Sequence, residues 1–156
     1  MTEPDAVRAT RATRASCDAM AAGHADRFRD ELGSKPLERA LLAGFAGLVQ
    51  DLGVGPIADV GCGTRRVTAY LRGLGAAAFG IDLSPQMVET AQKAHPDLRF
   101  EVGSMLALDL PDGTLGGLMS GYSTIHIPQE QLPQVFAEFR RVLAPRRPSV
   151  AGVPGR

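Results

Sequence analysis

The chain has 156 residues, of which 44% are hydrophobic, and its 17 basic side chains balance its 17 acidic ones. This length fits one domain with a buried core, and the neutral charge provides no field that would attract nucleic acid or an anionic membrane. The sequence has no apolar run of the roughly 20 residues that a membrane helix needs and no signal-peptide core. Its two cysteines allow at most one disulfide and no zinc-type pairing, which favours a cytoplasmic protein without a metal site.

Two helices are predicted at the start of the chain. Residues 1–16 carry arginines among Ala and Thr and are interpreted as a tail or a loose helix start. Residues 17–28 and 37–52 show apolar residues at helical spacing, and a Gly-Ser-Lys-Pro segment separates them. The second helix shows a broad apolar stripe of Leu41, Leu42, Phe45, Leu48 and Val49. Residues 17–52 are thus predicted to form a helical cap within a single domain of residues 17–156.

Short apolar runs then alternate with helical patterns. Strands are predicted at 57–60, 76–81, 98–102, 115–119 and, weakly, 150–153, and helices at 66–73, 85–94 and 131–143. The last helix is predicted to turn Leu132, Val135, Phe136, Phe139, Val142 and Leu143 inward. This alternation predicts an α/β core over residues 57–153, a parallel sheet with helices on both faces, and a ligand site at the carboxyl ends of the strands.

A glycine turn follows the first strand. Gly61 and Gly63 lack a Cβ, so the backbone can bend sharply there and approach a ligand closely. Asp82 ends the next strand, nineteen positions after Gly63, where a carboxylate can accept both hydroxyls of a ribose. The alternatives are an ordinary strand-to-helix turn and an N-cap by Asp82 onto the helix that starts at Ser84-Pro85. A nicotinamide fingerprint fits less well, because its third glycine is replaced by Arg66.

Four segments, in order, carry a resemblance: DVGCGTR, GIDLSPQMV, FEVGSMLALDLPDGTLGGLMSGYSTIHI and EFRRVLAP. Together with the helices before them, from about residue 17 to residue 145, they resemble class I S-adenosylmethionine-dependent methyltransferases, in particular the small-molecule branch. The resemblance implies a three-layer Rossmann-like α/β fold, S-adenosylmethionine as cofactor and S-adenosylhomocysteine as product. It also implies methyl transfer to a small molecule that the sequence does not identify.

The resemblance assigns cofactor roles to the residues that match its motifs. Asp59 would orient the ammonium group, and the backbone of Gly61, Cys62 and Gly63 would run beside the methionine part. Asp82 would hold the ribose hydroxyls. The remaining positions would surround the adenine or close the pocket, namely Leu83, Met87, Ser104, Met105, Ser120 and Gly121. For Asp59 a buried carboxylate bonded to backbone amides is the alternative, and for Met87 a place in the core.

Two residues after the fourth predicted strand are candidates for the chemistry. Methyl transfer needs mainly alignment of the acceptor and exclusion of water. For an oxygen or carbon acceptor a base helps, and His126 is the best-placed candidate, with a structural or solvated histidine as the alternative. Tyr122 would line the acceptor pocket. The neutral charge disfavours a nucleic-acid acceptor.

The sequence departs from the family pattern at several places. Arg65 stands where relatives usually have a glycine, Cys17 and His24 stand where tyrosines cover the cofactor, and Ser104 replaces an aspartate. After EFRRVLAP the usual seven-stranded methyltransferase sheet would continue, whereas here its last strands are lacking. This predicts an exposed sheet edge, possible dimerisation through that edge, and, as the alternative function, a truncated, inactive cofactor-binding or interaction domain.

Overall fold

The computed structural model describes residues 5–27, 32–64 and 66–145. The helices are α1 (Asp5–Arg27), α2 (Pro36–Leu52), α3 (Arg66–Gly73), α4 (Pro85–Ala94) and α5 (Leu132–Val142). The strands are β1 (Ile57–Val60), β2 (Ala78–Asp82), β3 (Phe100–Val102) and β4 (Gly117–Met119). Two 3₁₀ turns, Thr124–His126 and Gln129–Gln131, lie between β4 and α5.

The four strands of the described residues form one parallel sheet in the order β3-β2-β1-β4. The chain moves outward in one direction from β1 through β2 to β3, and then places β4 on the other side of β1. The strand order therefore reverses between β1 and β4, and the carboxyl ends of these strands flank the point where such sheets bind ligands.

Helices cover both faces of the sheet. On one face α2 and α3 pack through Leu42, Val49 and Leu71 against Ile57 of β1, and α4 packs against β3 through Ala91. On the other face Val142 of α5 packs against side chains of β1 and β2. These side chains point away from the first face, because successive side chains of a strand alternate between the two faces. The predicted three-layer α/β fold is confirmed.

Three predicted strands have boundaries that are wrong by one to two residues. β2 begins and ends later than predicted, β3 begins at Phe100, and β4 begins at Gly117. Leu115 instead forms a parallel bridge with Leu143, directly after α5. In the bridge, the amide of Leu115 donates to the carbonyl of Val142, and the amide of Ala144 donates to the carbonyl of Leu115. The segment leaving α5 thus starts a further pairing beside β4.

The predicted core faces of two helices are too broad. Leu41 and Leu48 of α2 are each 67% exposed, whereas Leu42 and Val49 are buried. Phe136 of α5 is 57% exposed, although its ring packs edge-on against Phe139 at a centroid distance of 6.3 Å. The reason is geometric, since a helix lying on a sheet buries only the stripe that faces the sheet.

The N-terminal segment is helical from Asp5 onward, so residues 5–16 continue without a break into the predicted cap. Among the described residues, no helix is long and apolar enough to cross a membrane. Arg65 and the predicted strand at residues 150–153 lie outside the described residues, as does the side chain of His24.

Candidate functional site

The turn after β1 is built around two glycines. Gly61 has a φ of +78° and Gly63 a φ of +54°, in the left-handed region that glycine adopts without steric cost. The amides of Gly61 and Cys62 both donate to the carbonyl of Ile81, at 2.7 Å and 3.1 Å. These bonds tie the turn to the carboxyl end of β2, so that the first two strands present their loops to the same cavity.

Gly61 also allows the loop after β4 to pack closely. A Cβ at position 61 would lie 2.2 Å from the Cβ of Ser123, a separation that no folded protein tolerates. The hydroxyl of Ser123 donates to the carbonyl of Val60 at 3.1 Å, and lies 2.7 Å from the Ser120 hydroxyl. Gly61 therefore determines how the two loops at the topological switch point meet.

Gly63 differs from Gly61 in what surrounds it. A Cβ at position 63 would have no described atom within 4 Å and would stand in open space. Gly63 itself lines the cavity.

Asp82 ends β2 and is almost completely buried, with 7% of its surface exposed. Its Oδ2 accepts a hydrogen bond from the amide of Gly63 at 2.8 Å, and its Oδ1 accepts one from the amide of Ser84 at 2.9 Å. Two backbone bonds thus fix the orientation of the Asp82 carboxylate at the cavity wall.

Asp59 lies on β1 below the turn and is 3% exposed. The hydroxyl of Thr68 in α3 donates to its Oδ2 at 2.7 Å. Burial raises the pKa of Asp59 from 3.8 to about 6, against the hydrogen bonds from Thr68, which lower it. A cation bound beside this carboxylate would favour its ionised form.

The side chains of Cys62 and Met87 pack in the interior beside the glycine turn. The side chain of Cys62 packs with Ala69 and Val88 against the cluster that includes Phe100. Burial is the largest cause of the raised pKa of the Cys62 thiol. Met87, which is 4% exposed, belongs to the buried core and also lines the cavity.

These residues surround one cavity of about 210 Å³. Its lining includes most of the predicted site: Asp59, Gly61, Cys62, Gly63, Asp82, Leu83, Met87, Ser104, Met105, Gly121, Tyr122 and His126. Ser120 is not among the residues that line the cavity; its hydroxyl lies against that of Ser123, which does line it. The hydroxyl of Ser104 accepts a hydrogen bond from the amide of Leu106 at 3.2 Å, which orients it at the cavity wall.

The sequence reasoning missed the part of the wall that α1 provides. Thr10, Thr13, Cys17 and Met20 line the cavity, and their spacing of three, four and three residues places them on one helical face. Of these, Cys17 alone was singled out, through the resemblance. Cys17 and Met20 lie in the stretch whose apolar spacing predicts a helix, but Thr10 and Thr13 are polar, so hydrophobic periodicity does not extend this face toward the N-terminus.

Tyr122 and His126 lie at the rim of the cavity. Tyr122 is 73% exposed and has a φ of +56°, a strained backbone for a residue with a Cβ. The ammonium of Lys35 lies 5.5 Å from the centre of its ring. His126 ends the first 3₁₀ turn and is exposed. Such strain outside a glycine occurs most often at functional sites.

Residues 57–146, more than half of the chain, match the family described as "Methyltransferase domain". The chain belongs to this family. The match starts at the first residue of β1 and covers the glycine turn, Asp82 and the rim, so the predicted class I methyltransferase resemblance is confirmed.

Similar proteins support this assignment of the methyltransferase domain. A demethylmenaquinone methyltransferase of Chlorobaculum parvum is 33% identical over 90 residues, which are 57% of this chain and 36% of the relative. A malonyl-[acyl-carrier protein] O-methyltransferase of Pectobacterium atrosepticum is 31% identical over 127 residues, 80% of this chain and 46% of the relative. The chain thus spans less than half the length of these curated relatives.

Among solved structures, the fold is similar to a TehB-like SAM-dependent methyltransferase from Corynebacterium glutamicum. The TM-score is 0.62 at 22% identity, over 81% of this chain and 68% of that one. Among the described residues of the methyltransferase domain, no group of three or more His, Cys, Asp or Glu side chains is arranged to hold a metal ion.

Proposed function

We propose that this methyltransferase domain binds S-adenosylmethionine in the cavity and transfers its methyl group to a small molecule. The observation that carries the proposal is the Asp82 carboxylate. It is buried at the end of β2, is held by two backbone amides and lines the cavity. A ribose supplies two adjacent hydroxyl donors, and a fixed carboxylate is the acceptor that matches them.

The rest of the wall also fits this cofactor. Gly63 leaves open space for a ligand to lie against the backbone, and Asp59 provides a buried negative charge for an ammonium group. Leu83, Met87 and Met105 supply apolar and sulfur surface suited to a purine ring. The wall therefore offers an acceptor for the ribose, a counter-ion for the amino acid part and a surface for the base.

The cofactor, when bound, supplies a methyl group on a positively charged sulfur. The chain's own residues would align the acceptor with that group and exclude water. We propose that Tyr122 lines the acceptor side and that His126 takes the proton from an oxygen or carbon acceptor. Both side chains lie at the rim, on the loop after β4, where an acceptor would enter.

Calorimetric titration with S-adenosylhomocysteine tests the cofactor part. Asp82→Asn keeps an acceptor oxygen but removes the charge, so the dissociation constant should rise about tenfold or more. Asp51→Asn, an exposed position on α2, makes the same charge change away from the cavity and should leave binding unchanged. Equal binding by wild type and Asp82→Asn would contradict the assignment of Asp82.

A turnover assay distinguishes an active methyltransferase from the alternative hypothesis, an inactive cofactor-binding or interaction domain. With a panel of reduced quinol, carboxylate and phenol acceptors, the active domain should produce S-adenosylhomocysteine. His126→Gln should lower kcat and leave the affinity for S-adenosylhomocysteine unchanged. Binding without turnover across the panel would favour the alternative.

We propose the class of the methyl acceptor from the net charge of the chain, and its cellular compartment from its cysteines. The neutral charge supports a small-molecule acceptor and not a nucleic acid, which a filter-binding assay with RNA and DNA checks. Cys17 and Cys62 are free thiols, which supports a reducing compartment such as the cytoplasm. Localisation of a fluorescently tagged chain tests this.

A homodimer is also proposed, through the edge of the sheet at β4. Among the described residues β4 pairs with β1 on one side, and on the other side the chain provides the single bridge between Leu115 and Leu143. An edge strand offers unpaired backbone groups to a second copy. Light scattering on the purified chain should give twice the mass of one chain, and a monomer at high concentration would contradict the proposal.

A further inference from the structure

Helix α1 forms one part of the cavity wall, and the sheet and its loops form the rest. Thr10, Thr13, Cys17 and Met20 form the face of α1 that lines the cavity. A bound ligand would therefore lie between α1 and the loops after β1 and β2. How long that ligand stays depends on what holds α1 in place.

Asp18 provides a specific contact between α1 and the core. Its Oδ1 accepts a hydrogen bond from the hydroxyl of Ser84, and the amide of Gln86 donates to the same oxygen at 3.4 Å. Ser84 is fully buried and precedes α4. The Asp18 carboxylate thus lies at the N-terminal end of α4, where the helix dipole favours a negative charge.

Ser84 has its own role in capping α4, independent of Asp18. Its hydroxyl oxygen accepts a hydrogen bond from the amide of Met87 at 3.1 Å, the usual N-cap bond. The hydroxyl proton is then available for Asp18. Removing Asp18 would leave this cap in place, so the contact serves the position of α1 more than the stability of α4.

The same serine links α1 to the proposed ribose site. The amide of Ser84 donates to Oδ1 of Asp82 at 2.9 Å, while Oδ2 of Asp82 accepts from Gly63 at 2.8 Å. Hydrogen bonds therefore run without interruption from Asp18 on α1, through Ser84, to the carboxylate on the cavity wall. The serine that α1 contacts is therefore the same residue that holds the Asp82 carboxylate.

We propose that Asp18 is a positioning residue: it fastens α1 across the cavity through Ser84 and so retains the bound cofactor. This inference rests on the proposed function, because it takes the cavity as the cofactor site. Asp18 touches no ligand itself in this role. It slows release by keeping in place the helix that would have to move before the cofactor could leave.

The test compares Asp18→Ala with Asp18→Asn, which keeps an acceptor oxygen, and with Asp51→Ala, which removes an exposed carboxylate from α2. Hydrogen exchange of the ligand-free chain reports on α1. In Asp18→Ala, exchange in α1 should be about tenfold faster, since a hydrogen bond to a charged group is lost, and exchange in β1 and β2 should be unchanged. Asp51→Ala should remain within about threefold of wild type, and Asp18→Asn, which keeps the acceptor oxygen and loses the charge, should lie between wild type and Asp18→Ala.

Stopped-flow displacement of S-adenosylhomocysteine gives the functional readout. The dissociation rate should rise about tenfold in Asp18→Ala, with an association rate that is unchanged or higher. A dissociation rate and an α1 exchange rate within twofold of wild type would overturn the proposal. So would faster exchange spread equally over the whole chain, because Asp18 would then act on global stability.

The two hypotheses fail in different ways. If wild type does not bind S-adenosylhomocysteine, the proposed function fails and cofactor retention by Asp18 fails with it. If wild type binds and Asp18→Ala releases the ligand no faster, only the role of Asp18 fails.

Discussion

Replacing Gly61 by Ala is expected to destabilise the fold far more than the same replacement at Gly63. Both glycines have a positive φ, +78° and +54°, so alanine at either position costs about 1–2 kcal/mol of backbone strain. The two positions differ in their surroundings. The Cβ at 61 would lie 2.2 Å from the Cβ and 2.6 Å from the hydroxyl of Ser123, whereas at 63 no described atom lies within 4 Å.

The additional cost at position 61 has two parts. Overpacking costs about 1–3 kcal/mol, because the position of a Cβ is set by the backbone and the loop after β4 must move away. That movement also strains the bond from Ser123 to the carbonyl of Val60, worth about 0.5–1.5 kcal/mol. Gly61→Ala should therefore lower the free energy of unfolding by about 3–6 kcal/mol, and Gly63→Ala by about 1–2 kcal/mol.

Urea unfolding followed by circular dichroism measures both values, provided that the slope of the transition is the same in each variant. Calorimetry with S-adenosylhomocysteine should show the opposite order of effects. Gly63→Ala adds a methyl group at a residue that lines the cavity and should weaken binding about tenfold or more despite its mild effect on stability.

A double variant tests the cause directly. With Ser123→Gly in the Gly61→Ala background, the nearest remaining atom would be the Cα of residue 123, at 3.7 Å, an ordinary contact. Part of the lost stability should return, about 1–3 kcal/mol. Equal costs for Gly61→Ala and Gly63→Ala, or no recovery in the double variant, would refute the reasoning.

Three further predictions concern stability. Burial raises the pKa of Asp59 from 3.8 to about 6, so between these values the folded state binds more protons than the unfolded state, and this group's contribution to stability falls as the pH rises. Asp59→Asn should thus raise the free energy of unfolding at pH 7 by up to about 3 kcal/mol, with the gain vanishing below about pH 4 in urea titrations; a loss at pH 7 would contradict this. Arg141 donates to the carbonyls of the loop before β4 and to a carboxylate on its own helix, so Arg141→Ala should lower Tm in calorimetry by clearly more than Arg140→Ala, at an exposed neighbour. Leu42→Ala, at a position that is 3% exposed, should cost about 2–5 kcal/mol, whereas Leu48→Ala, at 67% exposure, should change the free energy by less than about 0.5 kcal/mol; similar costs would show that α2 has a wider buried face.

The sequence alone determined the order of strands and helices along the chain, and it predicted the edge of the sheet at which the candidate site lies. Apolar runs, glycines and helix caps are local signals, and they predicted α3 and α4 with the boundaries that the structure has. Parallel connectivity then placed the carboxyl ends of β1 and β2 side by side. For this reason the spacing of the motifs is enough to identify Asp82 and the glycine turn as partners.

Tertiary structure alone decided which faces are covered and which side chains meet. Leu41 and Leu42 have the same hydropathy, but only Leu42 faces the sheet, since burial depends on what the helix packs against. The contact of Asp18 with Ser84 joins residues 66 positions apart, and no local pattern marks such a pair. The candidate site is assembled from α1 and the loops after all four strands; the sequence supplies its reactive groups, and packing sets their geometry.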